Sequence, residues 1–173
     1  MRYPVSLIAV LILLSLAIVG CGSSSTSSAG QAAAGSGGAT STTKFAKTKF
    51  VLHAGLAFGA FHRWVYKPAK AGELSHPLEH KLTTVKAAIA AAFVYHELKL
   101  ALADAQADPT LSKLVAPVTA LQDKFHALAG SVKSGGVSSA DVSGLASTIS
   151  SIKDQAASAG QSITEQTPAT PSG

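Results

Sequence analysis

Six histidines sit in a chain whose charged residues are only 13% of the total, so imidazole is where its chemistry would lie. Two of them are spaced for a metal. His76 and His80 fall one helical turn apart, the separation at which two imidazoles can share a zinc or copper ion. His96 stands inside an apolar stripe between Phe93 and Leu100. A histidine there reads first as a buried neutral residue bonded to a carbonyl or carboxylate. The functional reading is a ligand to metal or haem within a bundle, with His53 as its partner. His53 and His62 are nine residues apart and face nearly opposite ways, so they cannot serve one ion. His126 lies at a core edge and needs no function. The single cysteine excludes a multi-thiolate site, and with the only methionine at position 1, covalent haem attachment and Met ligation are excluded too. No cofactor is expected.

His76-Pro77-Leu78-Glu79-His80 also fits the H-x-x-E-H string of the inverzincin peptidases. That motif works on a continuous helix, where both histidines bind zinc. Pro77 instead sets His76 at a cap, and the resemblance ends with these five residues. Nucleophile–base patterns, phosphate loops and nucleic-acid motifs are absent from the sequence. It reads as non-enzymatic.

Four amphipathic segments must position these side chains. The first, Phe50 to Tyr66, puts Phe50, Ala54, Ala57, Phe61, Trp64 and Val65 on one stripe. Gly55 and Gly59 form a small-residue groove on another face, suited to close helix approach. Lys67-Pro68 is expected to end it. The second, Pro77 to about Ala107, has one stripe of Leu82, Val85, Ile89, Phe93, His96, Leu100 and Ala103, and an opposite one through Ala87, Ala91, Val94, Leu98 and Leu102. Apolar on two faces, it should be packed on two sides. Asp108-Pro109 caps the third, with Leu111, Leu114, Val118, Leu121, Phe125 and Leu128 inward and Pro117 as a kink or restart. Ser138 and Asp141 suggest a capping box for the fourth, whose core residues are Val142, Leu145, Ile149, Ile152 and Ala156. The fold class is all-α, a small four-helix bundle-like domain over residues 44–160. A disordered tail is expected over 161–173.

The N-terminus sets the location. Arg2 precedes an apolar run from Val5 to Val19, shorter than the roughly 20 residues of a span. It closes on Ile18-Val19-Gly20-Cys21. This resembles the lipobox of bacterial lipoproteins, in which a small residue precedes the cysteine that is lipidated and becomes the new N-terminus. The resemblance covers residues 1–21 only. It implies lipidation at Cys21, with the thiol consumed, and a cell-membrane protein anchored by lipid on the extracytoplasmic face. Gly22 to Thr43, rich in Ser, Gly and Ala, reads as a disordered tether spanning about 25 Å by Gly/Ser chain scaling.

Behind the tether, Lys44 to Lys86 carries eight basic residues (Lys44, Lys47, Lys49, Arg63, Lys67, Lys70, Lys81, Lys86) against Glu73 and Glu79. That excess offers a surface to anionic lipid or an envelope polymer. An envelope protein is a further candidate partner; nucleic acid is not. The expected role is therefore a binding or structural module of the cell envelope. The alternative is a metal- or haem-binding bundle built on buried histidine.

Overall fold

The computed structural model describes residues 45–134 and 137–173; the expected signal segment, Cys21 and the expected tether lie outside them. Among the described residues the fold is all-α. Four helices form a small bundle: α1 (Ala46–Phe61), α2 (Lys81–Ala107), α3 (Ser112–Ser134) and α4 (Ser139–Ser158). α2 packs on both α1 and α3, α3 packs on α4, and the turn following α1 returns to α4.

The later helices follow their apolar spacing. Leu111, Leu114, Val118, Leu121, Phe125 and Leu128 are buried, as are Val142, Leu145, Ile149, Ile152 and Ala156. Asp108 Oδ1 accepts the Thr110 amide at 2.8 Å and the Thr110 hydroxyl at 2.7 Å. The Thr110 hydroxyl and then its amide hold the Asp108 carboxyl below its ordinary value. At α4 the Asp141 amide donates to Ser138 Oγ at 3.1 Å, while that hydroxyl donates to Asp141 Oδ2 at 2.6 Å. The acid thus returns to the hydroxyl, which is half of a capping box. Pro117 does not restart α3, which runs through it.

The end of α1 departs from expectation. Lys67-Pro68 does not stop the helix: the backbone widens to a π-turn over His62–Tyr66, with the Lys67 amide reaching back to the His62 carbonyl. A further helical turn, Lys67–Lys70, continues past the proline until Gly72, at φ +81°, reverses the chain. Pro68 has no N–H, and its ring would press on the carbonyl four residues back. Opening the turn by one residue relieves that clash.

The second helix carries a larger correction. It begins at Lys81 rather than Pro77, and one of its two apolar stripes faces solvent. Ala87, Ala90, Ala91, Val94, Leu98, Ala101 and Ala105 are buried. Leu82, Val85 and Ile89 are exposed, and so is His96. Alanine on the inner face lets α2 meet α1 and α3 across one broad surface. That same face buries Glu97, which His53 of α1 meets with a hydrogen bond, and Asp104.

The tail is also corrected. Residues 161–173 lie along the bundle, with Ile163 buried. The Gln166 amide donates to the Gly55 carbonyl at 2.9 Å. A Cβ on Gly55 would come within 2.5 Å of the Thr164 carbonyl oxygen, and one on Gly59 would meet the Gln166 backbone. The Gly-x-x-x-Gly groove is therefore filled by an extended strap rather than by a helix.

Candidate functional site

The structure disperses the histidines chosen by spacing. His96 is exposed on the outer face of α2, so the expected pairing of buried His96 with His53 does not form. His76 and His80 are exposed in the turns before α2, where the Glu79 and His80 amides both bond the His76 carbonyl at 3.1 Å. No third ligand joins them: among the described residues, no group of three or more His, Cys, Asp or Glu side chains could hold a metal ion.

His53 instead bridges α1 to two carboxylates of α2. Its Nδ1 donates to Glu97 Oε2 at 2.7 Å, and its Nε2 lies 3.9 Å from Asp104 Oδ2. Glu97 is 7% exposed and Asp104 8%. Asp104 Oδ2 has no hydrogen-bond partner. Burial raises the Asp104 carboxyl above its ordinary value, and the charges of His53 and Lys49 only partly oppose this. The trio is an interhelical clasp around one imidazole.

His62, after α1, holds the strap. Its Nδ1 donates to Glu165 Oε2 at 3.0 Å, and Lys153 Nζ of α4 donates to Glu165 Oε1 at 2.8 Å. Burial pushes the Glu165 carboxyl up, but the bonds from Lys153 and His62, with their charges, outweigh it and leave it below 4.5. A lowered carboxyl stabilises the fold above its ordinary value, and that contribution is lost as pH falls through the folded value. Melts of wild type and Glu165→Gln should therefore differ near neutrality and converge as pH drops below 4.5. A constant difference down to pH 3 would show that Glu165 does not hold the strap through its charge.

An exposed apolar ridge runs from Leu78 into α2, and its helical part, Leu82, Val85 and Ile89, is the stripe that spacing places in the core. Leu78 is 81% exposed, Leu82 68%, Val85 54% and Ile89 44%. Lys81 and Lys86 flank it at helical positions on either side. Beside Lys86 a cavity of about 260 Å³ is lined by Arg63, Trp64, Lys67, Pro68, Glu73, Thr83 and Lys86. Arg63 Cζ lies 4.9 Å and Lys86 Nζ 5.8 Å from the centre of the Trp64 ring. Comparison of the chain with protein-family models, curated proteins and solved structures gives no match.

Spacing alone does not single out Glu97 and Asp104. Their seven-residue separation on the alanine face, opposite His53, is the signal that finds them. The lysines around the cavity are visible in the sequence only as a basic run. The approach of Lys86 and Arg63 to the Trp64 ring is a tertiary contact between α2 and the π-turn.

Proposed function

We propose that the chain is a lipid-anchored, non-enzymatic module of the cell envelope that rests the outer face of α2 on the extracytoplasmic surface of an anionic membrane. The observation that carries this reading is the exposed ridge Leu78–Leu82–Val85–Ile89, flanked by Lys81 and Lys86. Such a stripe suits the boundary between headgroups and acyl chains, with lysines reaching past it to lipid phosphates. From Arg63 to Lys86 five cations stand against Glu73 and Glu79, which supports an anionic rather than a neutral surface. A Cys21 anchor on a tether of about 25 Å would keep the ridge within reach of the leaflet. Among the described residues no helix is long and apolar enough to cross a membrane. The metal- or haem-binding alternative loses its main support with His96 in solvent.

Two measurements test this. Cys21→Ala is expected to abolish acylation, read by mass spectrometry, and to impair processing at that site; unmodified wild type in the soluble fraction would refute the anchor. With the Cys21 thiol consumed, Val85→Cys provides one site for a nitroxide label. In vesicles containing phosphatidylglycerol the label should become accessible to oxygen dissolved in lipid, and in pure phosphatidylcholine much less so. A label that stays in water on both membranes would overturn the docking. Protection from both lipid and aqueous relaxants would do so as well, assigning the ridge to a protein partner.

A further inference from the structure

We infer that the cavity bounded by Arg63, Lys67 and Lys86 is a binding site for a phosphate group. Its three cations have no carboxylate within 4.0 Å among the described residues; Glu73, in the same wall, pairs with none of them. Residues 1–44 contain no acid that could serve instead. Like charges held together in a concave site repel one another, and an anion would remove that cost.

The donor set favours phosphate over a simple carboxylate. Arg63 offers a planar fork, Lys67 and Lys86 offer point charges, and the Thr83 hydroxyl adds a neutral donor. One carboxylate already lines the cavity and leaves an excess of two positive charges, the charge of a phosphate monoester dianion. The Trp64 ring gathers two of these cations at one place, with Arg63 Cζ 4.9 Å and Lys86 Nζ 5.8 Å from its centre. The π-turn brings Arg63 and Trp64 to the same cavity as Thr83 and Lys86 of α2.

The membrane reading supplies the ligand's source but not its chemistry. Lys86 is shared: it lines the cavity and stands four residues from Leu82 and three from Ile89. A lipid phosphate seated there would lay its acyl chains towards the ridge. A soluble phosphate would use the same donors without the ridge.

Trp64 is the only tryptophan, so its emission reports on this wall. The full-length lipoprotein in neutral detergent would be titrated with inorganic phosphate and with glycerol 3-phosphate, against chloride at matched ionic strength, by fluorescence and calorimetry. In a second arm it would be reconstituted into phosphatidylcholine vesicles with and without phosphatidic acid. Saturable binding in the first arm identifies a site for soluble phosphate. A saturable response to phosphatidic acid alone identifies a lipid headgroup site. In either case Arg63→Gln and Lys86→Gln should weaken binding about tenfold, the loss expected for one charge-assisted pair, while Lys113→Gln does not. Leu82→Ser with Val85→Ser should lower bilayer docking yet preserve binding of soluble phosphate, which separates failure of the membrane reading from failure of this one. No saturable response in either arm, or an equal response in the Arg63→Gln protein with its helicity intact, would overturn the assignment.

Discussion

Replacing His53 with alanine is expected to destabilise the bundle by about 3 kcal/mol, because it strands two buried carboxylates. Glu97 would lose its 2.7 Å donor and Asp104 the imidazole nitrogen 3.9 Å from its Oδ2. At this chain length that corresponds to a fall in Tm of roughly 10 °C. A charged clasp is not itself a strong source of stability, however. Converting the whole trio with His53→Leu, Glu97→Met and Asp104→Leu is expected to restore or exceed wild-type stability, since desolvation of the charges is removed along with their pairing. Asp104→Asn alone should help near neutral pH. Its carboxyl is raised in the fold, so wild-type stability declines as pH climbs from 3.8 through the folded value. Equal Tm values for wild type and His53→Ala would show that the clasp is open in solution.

Gly59→Ala is the second substitution with a large expected effect. The new methyl would lie within 2.9 Å of the Gln166 nitrogen and closer still to its carbonyl. Only backbone stands in its way, so no side chain can yield. The strap should leave the groove, exposing Ile163 and breaking the bond from Gln166 to Gly55. Overpacking of this kind costs about 2 kcal/mol, or roughly 7 °C in Tm. Amide exchange at Gln166 should become fast while the helical circular dichroism signal is largely retained. Gly130 provides the contrast: a Cβ there meets nothing within 4 Å, and Gly130→Ala in α3 should stabilise by about 0.5–1 kcal/mol. Unchanged exchange at Gln166 in Gly59→Ala would mean that the groove has room to spare.

The fold class and two of the helices are legible from spacing because α3 and α4 each carry one apolar stripe, with polar residues elsewhere. α2 is ambiguous for a physical reason: it has two stripes, and the larger side chains lie on the one facing solvent. Area alone favours burying Leu82, Val85 and Ile89. Close approach favours the alanines, and the pairing of His53 with Glu97 adds a tertiary term that no single segment contains. His96 follows from the same phase error, since it lies one residue from the glutamate that is buried. The strap is illegible for a different reason. Thr, Ser, Pro and Gly read as low complexity, yet extended backbone needs only a groove of small residues and an acceptor such as the Gly55 carbonyl.

The strap also bears on the order of assembly. α1, α2, α3 and α4 each pack on a sequence neighbour, so most of the bundle forms through short loop closures, which are fast. The bond between His62 and Glu165 bridges 103 positions. It costs more chain entropy to close and has few partners of its own. The bundle should thus collapse first with the α1–α4 seam open and be sealed afterwards. On the native side the seam is the low-energy opening, through which Phe58, Phe61 and Ile149, lining the cavity beneath Glu165, would first meet water.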